Sequence, residues 1–360
     1  MGVRYGLVGS GMMGVEHIRN LAITPGAELV ALADPVERSL GWARDALGDR
    51  GGAVRSYRSS AELAAAGGLD AVVVASPNHT HREVLGPLFD AGLDILCEKP
   101  LATTIDDARW IVERVVASSG LFWTAMEYRY MPPAAEFIRE IGDGRIGRLR
   151  MLSIREHRFP FLAKVGDWNR FSANTGGTMV EKCCHFFDLM RLIAGSEAVR
   201  VYCSGSMDVN HIDESYDGRR PDIIDNSYTT VDFANGVRAM LDLSMFADGA
   251  ANQEEITAVG DVARLDCLIP EGSLVFSPRV GFMNPKRVER RHVEVDRQAL
   301  EAGSHHGATY YQHQKFFAAV RGEGAVEVSA TDGLMAVAIG TAAEISARER
   351  RVVTMDELGF

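Results

Sequence analysis

The chain opens with a short apolar run, Val3 to Leu7, leading into Val8-Gly9-Ser10-Gly11-Met12-Met13-Gly14, and Asp34 stands twenty residues after the third of these glycines. A strand, a glycine turn, a helix and an acidic residue closing a second strand form the dinucleotide-binding fingerprint of a βαβ unit. Each glycine has a mechanical task. Gly9 permits the tight turn, Gly11 lets the backbone approach a pyrophosphate with no Cβ in the way, and Gly14 lets the helix lie close to the strand. The helix N-terminus then faces the phosphates with unpaired N–H groups and the positive end of its dipole. Three glycines at this spacing arise by chance in a chain that has 36 of them, so the weight rests on context. Strand Arg4 to Val8, helix Val15 to Ile23 and strand Glu28 to Ala33 follow in the required order. A plain βαβ core has no use for Asp34, whereas a nucleotide site does: its carboxylate accepts the ribose hydroxyls and repels a 2′-phosphate, which favours NAD over NADP. Arg38, one helical turn on, weakens that preference, and its position suits stacking on adenine, pairing with a phosphate, or plain solvation.

The 360 residues exceed one small core and suggest about two domains. Up to residue 125 strands and helices alternate: helices near Glu37 to Leu47 and Ser60 to Ala66, strand Ala71 to Ala75, helix His81 to Ala91, strand Asp94 to Cys97, helix Ile105 to Ser118 and strand Leu121 to Ala125. Continuous apolar runs such as Ala71-Val72-Val73-Val74 indicate strands covered on both faces, as in a parallel sheet. This predicts an α/β chain with a doubly wound Rossmann domain over 1–125. Beyond residue 148 longer β segments take over, at Leu149 to Glu156, Arg200 to Ser204, Asn226 to Phe233, Val237 to Phe246, Glu254 to Val259 and Ala263 to Cys267, with a hairpin turn at Ala234-Asn235-Gly236. A helix over Met179 to Ile193 and late helices over Tyr310 to Arg321 and Ala330 to Arg348 accompany them. The second domain, 126–360, is thus expected to be α+β with a large, mostly antiparallel open sheet.

Thirty-eight basic against forty-nine acidic residues give a net charge of −11, which disfavours nucleic acid and anionic membrane as partners and leaves a small ligand. No apolar stretch reaches the roughly eighteen residues that span a bilayer. The five cysteines, Cys97, Cys183, Cys184, Cys203 and Cys267, form no framework and read as reduced thiols of a cytoplasmic protein. Cys183-Cys184-His185 lacks the spacing and ligand number of a structural zinc site, so no metal is expected.

In a doubly wound sheet ligands lie at the C-terminal strand ends, where Gly9, Asp34, Ser76, Pro77, Asn78, Glu98 and Lys99 all fall. Lys99, one of only five lysines, belongs to Cys97-Glu98-Lys99-Pro100. In a partly desolvated cleft its ammonium lowers the pKa of a substrate hydroxyl and stabilises the developing alkoxide; otherwise it caps the strand end and points to water. A cis peptide at Pro100 would aim it into the cleft. The second cluster runs from Gly176-Gly177 through Glu181, Lys182 and His185 to Asp188. On one continuous helix Glu181 and His185 are four residues apart and share a face. Imidazole is suited to take a hydroxyl proton near neutral pH, although a His on an apolar helix face is more often a satisfied core group.

Taken together, GSGMMG, SPNHTH, CEKP, the segment from Thr175-Gly176-Gly177 to His185 and the ending VSATDGLMAVAIGTAAEISARERR resemble the Gfo/Idh/MocA oxidoreductases, the group of glucose-fructose oxidoreductase and inositol dehydrogenase. The resemblance covers nearly the whole chain. It implies an NAD(P)-dependent oxidoreductase acting on a sugar, a cyclic polyol or a sugar derivative, in which Lys99 is the catalytic lysine and His185 the general acid/base. Glu181 falls where most members have Asp. Ser10, Met12 and Met13 join the glycines at the cofactor, Asn78 and His81 match positions near the nicotinamide ribose, and Trp168 and Arg170 resemble a Trp-Arg element that closes over it, here with Asn169 between them. The family further implies a homodimer or homotetramer through the C-terminal sheet. Some members cleave glycosides by transient oxidation and others act as NAD(P)-sensing regulators; both remain open on the sequence. Arg129, Arg155, His157, Asn174, His305 and His306 stand as candidate substrate-specificity positions, or equally as structural residues.

Overall fold

The computed structural model describes residues 2–360 and is built on two sheets. The first comprises β1 (Val3–Val8), β2 (Ala27–Ala33), β3 (Arg55–Tyr57), β4 (Ala71–Val74), β5 (Asp94–Glu98) and β6 (Phe122–Ala125). All are parallel, in the order β3-β2-β1-β4-β5-β6. Strand order reverses between β1 and β4, and such a switch point opens a crevice at the carboxyl ends. Ala71 to Val74 are wholly buried because helices cover both faces. Two details differ from the sequence reading. Helix α1 (Met12–Ala22) starts three residues earlier than the expected Val15, and β3, three residues long with Arg55 and Ser56 exposed, carried no apolar signal.

The second sheet comprises β7 (Leu149–His157), β8 (Ala198–Ser206), β9 (Asn226–Phe233), β10 (Arg238–Ser244), β11 (Glu254–Gly260), β12 (Ala263–Ile269), β13 (Ser273–Pro278), β14 (Glu289–His292) and β15 (Val353–Thr354). Their order is β14-β13-β12-β11-β7-β10-β9-β8-β15. Only β7 and β10 pair in parallel; the remaining pairs are antiparallel. One face packs on helices through a core that includes Ile154, Phe186, Phe187, Leu241 and Ile256. The other face is free, with Met151 and Tyr228 at 56% and 63% exposure.

Late segments join the two sheets. Phe316, on helix Ala308–Val320, lies edge-on to Trp123 of β6 with ring centroids 6.2 Å apart. Helix Ala330–Glu349 packs on β6, helix Ile105–Ala117 and β8. Two of its glycines set how closely it sits: a Cβ at Gly333 would come 2.9 Å from Leu101 Cβ, and one at Gly340 2.6 Å from the Met179 carbonyl oxygen. Among the described residues no helix is long and apolar enough to cross a membrane.

Candidate active site

A cleft of about 1330 Å³ runs along the carboxyl ends of β1, β2, β4 and β5. Gly9 turns the chain there with φ +92°, and a Cβ on it would lie 2.5 Å from the Ala75 carbonyl. A Cβ on Gly14 would lie 2.2 Å from Gly9 O, which is the close helix–strand packing expected of it, while the space beside Gly11 is open. Gly11 caps α1 without a side chain, and the first helical bond runs from Val15 N to Gly11 O at 2.9 Å. The N–H groups of Met12, Met13 and Gly14 are thereby left for an anion. Asp34 closes β2 and lines the cleft; its carboxylate is fixed by the N–H groups of Ser10 (2.7 Å) and Val36 (2.8 Å). Asn78 lines the cleft with a buried Nδ2 that has no partner among the described residues. Ser76, Pro77, Glu98, Lys99 and Trp168 complete the wall. An open glycine turn, free helix N–H groups, a fixed carboxylate and an unsatisfied amide together fit a dinucleotide.

Three expected cofactor contacts sit elsewhere. His81 is fully buried outside the cleft, with its ring nitrogens on the carbonyls of Ser76 and Leu101, both at 3.2 Å, so it supports the Ser76 to Asn78 turn from behind. Arg170 is buried and donates to Glu214 at 3.0 Å. Arg38 is exposed and lies over the Trp42 ring, 4.9 Å from its centroid; Trp42, not Arg38, lines the cleft. Ser10 contributes its backbone, as the donor to Asp34.

Lys99 enters the inner end of the cleft, its Nζ 3.4 Å from the Glu181 carbonyl, and the Lys99–Pro100 peptide is cis. Burial alone would depress this ammonium, but Cys184 and the carboxylates of Glu127, Glu98 and Glu181 hold it above its ordinary value, so it stays charged. The expected single helix from Met179 to Ile193 does not form. The chain makes a short helix Thr178–Glu181, breaks at Lys182 and Cys183, and resumes as helix Cys184–Ala194. The Glu181 carbonyl, which an unbroken helix would pair with the His185 N–H, instead receives Lys99 Nζ and, at 3.5 Å, the Cys184 thiol. Glu181 and His185 therefore do not share a helical face. Glu181 turns to the cleft, with Oε2 buried and unpartnered; burial raises its carboxyl, opposed by Lys164 and Lys99.

The carboxylate beside His185 is Glu127, with Oε1 3.5 Å from His185 Nε2. The imidazole stacks on Tyr128 at 4.1 Å and an interplanar angle of 7°, and its Nδ1 has no partner. Burial, followed by the positive fields of Lys99 and Lys182, holds it well below its ordinary value, so it is neutral. Asp188, a turn further on, is bound by Arg129.

The substrate positions scatter. Arg129 is spent on Asp188 and on the Glu327 carbonyl at 3.0 Å, and is structural. Along β7, Leu152, Ile154 and Glu156 point into the core, which puts Arg155 and His157 on the free face, where they pair with Glu255 and Asp242. Asn174 donates to the Trp168 carbonyl at 3.0 Å and braces that ring's segment. His305 pairs with Glu16 at 2.7 Å, and His306 lies 3.8 Å from Glu254. Sequence reasoning passed over Glu127 and Lys164. Glu127 lies just past β6, where the strand-end rule applies, and Lys164 is one of the five lysines, lining the cleft over Trp168.

Comparison with known proteins bears on the family and the fold. The NAD-binding Rossmann fold of an oxidoreductase family matches residues 3–125, and that family's C-terminal alpha/beta domain matches 138–355. The chain is 27% identical to Myo-inositol 2-dehydrogenase of Thermotoga maritima, over 99% of each chain. It is 31% identical to the Rhizopine catabolism protein MocA of Rhizobium meliloti over 54% of this chain, spanning 58% of that protein's length. A solved levoglucosan dehydrogenase, in complex with NADH and levoglucosan, shares the fold with a TM-score of 0.85 at 20% identity, covering 99% of this chain and 100% of the other.

Proposed function

The chain belongs to the Gfo/Idh/MocA oxidoreductase family and is an NAD-dependent dehydrogenase, and we propose that its substrate is a sugar or inositol-like cyclic polyol, one secondary hydroxyl of which it oxidises reversibly to a ketone. The observation that carries this reading is Lys99 at the inner end of the cleft, its Nζ 3.4 Å from the Glu181 carbonyl beside an unpartnered Glu181 Oε2, with a neutral His185 in its field. An ammonium stabilises the oxygen as its proton leaves, and a neutral buried imidazole takes that proton. Glu181, with its free Oε2, accepts a hydrogen bond from a neighbouring hydroxyl and so orients the ring. Gly9, Gly11 to Met13, Asp34, Ser76 to Asn78 and Trp168 would hold NAD, which when bound supplies the hydride acceptor. The inositol and levoglucosan specificities of the relatives support a hydroxylated ring as substrate.

In this reading residues 1–125 bind the nucleotide and 126–360 bind substrate and assemble the oligomer. The free sheet face, with Met151 and Tyr228 exposed, supports a homodimer or homotetramer. Five free cysteines, all buried, suit a reducing cytoplasm. Incubating the purified protein with NAD or NADP and a panel of inositols, aldoses, anhydrosugars and glycosides, while following absorbance of the reduced cofactor, tests the proposal. Reduction of NAD with a polyol or sugar is the expected result. No reduction across the panel, or glycoside cleavage with no NADH, overturns it.

A further inference from the structure

A line of buried hydrogen bonds runs through α1 to the end of β5. His313, on helix Ala308–Val320, brings Nε2 to 2.8 Å from His17 Nδ1, and His17, on α1, brings Nε2 to 2.9 Å from Glu98 Oε1. The other Glu98 oxygen, Oε2, accepts the Lys99 backbone N–H at 3.2 Å. Both imidazoles are wholly buried, and Glu98 is 5% exposed. The chemistry assigned above to Lys99, Glu181 and His185 uses none of these contacts.

One arrangement of protons along this line leaves no buried donor orphaned. Burial and then the field of His17 hold the His313 imidazole well below its ordinary value, so it is neutral and carries a single N–H. Its Nδ1 has no partner among the described residues. A proton there would be an unpaired donor in the core, which folded proteins tolerate less readily than an unused lone pair. The proton therefore sits on Nε2 and is donated to His17 Nδ1, which leaves the His17 Nε2–H to be donated to Glu98. A ring that only filled space would not need both nitrogens engaged.

We propose that His17 is a positioning residue for Lys99: by donating to Glu98 it holds that carboxylate against the Lys99 N–H, and so ties the amine to the helix that bears the nucleotide turn. The inference rests on the dehydrogenase reading, in which Lys99 is the catalytic group. Glu98 and Lys99 both line the cleft. Helix α1 starts at Met12 with N–H groups free for an anion and carries His17 little more than a turn later, so one rod sets the place of both the phosphates and the lysine. Burial works against the Glu98 carboxylate, and the His17 hydrogen bond is the largest of the contacts that outweigh it and hold it below its ordinary value. Without that donor a core carboxylate is left partly unpaired, and it turns away or takes up a proton. The Lys99 N–H then loses its anchor.

Two amides separate the two ends of the His17 ring. In His17→Gln the amide reaches the place of Nε2 and still donates to Glu98, whereas in His17→Asn it reaches only the place of Nδ1 and keeps the contact with His313. The first measurement needs neither cofactor nor substrate: ¹H–¹³C NMR of the lysine ε-methylenes of the intact protein, which has five lysines, with the Lys99 signal identified by its loss in Lys99→Ala. That signal is expected to move in His17→Asn and His17→Leu and to keep its wild-type place in His17→Gln. A signal unmoved in His17→Asn and His17→Leu, or moved equally in all three variants, overturns the proposal. The second measurement is NAD reduction with the best substrate of the sugar and polyol panel. His17→Asn and His17→Leu are expected to lower kcat by about tenfold or more, with KM and calorimetric NAD affinity within about threefold of wild type; His17→Gln recovers most of the rate. A wild-type rate in His17→Asn, or a loss in His17→Gln as deep as in His17→Leu, overturns the proposal whatever the lysine signals show. If the wild type turns over no member of the panel, it is the substrate reading that fails, and the lysine signals alone decide the role of His17.

Discussion

Arg129 holds Asp188 through Nε at 2.6 Å and a second guanidinium nitrogen, with Asp188 wholly buried and Arg129 nearly so. This ion pair ties the turn that follows the first sheet to the helix carrying His185. Breaking it from one side leaves an uncompensated charge in the core, a loss of about 3–5 kcal/mol. Arg129→Ala is therefore expected to lower the chemical-denaturation midpoint markedly, while calorimetric NAD affinity of the fraction that remains folded stays within about threefold of wild type, since Arg129 does not line the cleft. An unchanged midpoint would contradict the structural role assigned to it.

Lys99→Ala removes the charge from the inner end of the cleft and leaves the glycine turn and Asp34 intact. Turnover should fall by about 10²–10³-fold, with NAD affinity nearly unchanged by titration calorimetry. A rate close to wild type would refute the chemistry assigned to this lysine.

Asp34→Ala acts at the opposite end. It frees the N–H groups of Ser10 and Val36 and removes the ribose acceptor together with its repulsion of a 2′-phosphate. NAD affinity should weaken by about tenfold or more, while NADP affinity stays level or improves. Parallel isothermal titrations with the two cofactors measure the ratio, and a ratio equal to that of the wild type would sink the assignment.

Glu254 faces Glu156 across β11 and β7, buried near Lys182. Burial, then the Glu156 charge, raises the Glu254 carboxyl to about 8. A carboxyl raised in the folded state favours folding fully below its ordinary value of 4.5, and that contribution is lost as pH climbs through about 8. Wild-type Tm should drop between pH 6 and 9 by more than that of Glu254→Gln, whose amide does not ionise. Scanning calorimetry at several pH values compares the two, and parallel curves would rule the effect out.

Much of this was readable in the sequence, because the features concerned are local. The glycine turn, Asp34 and Lys99 occupy positions set by chain spacing and by the strand-end rule. The break at Lys182 and Cys183 was not legible, since the Glu181 carbonyl it frees is met by Lys99, 82 residues away in the chain. Nor was the partner of His185, which comes from past β6 and not from its own helix. The outward place of Arg155 and His157 is legible in the strand period: Leu152 and Ile154 alternate with them, and the period of two sends the apolar pair inward and the polar pair outward. β14, exposed along its whole length, had no pattern to read.

Helix Ala330–Glu349 has Gly333 against Leu101 and Gly340 against Met179, with no room for a methyl group at either point. Leu101 lies two residues from Lys99, and Met179 lies six from His185. One rigid rod thus spaces the two chemical partners, like a jig that fixes a gap before the workpiece arrives. Lengthening either glycine to alanine would misalign the amine and the imidazole from more than a helical turn away, without touching a ligand.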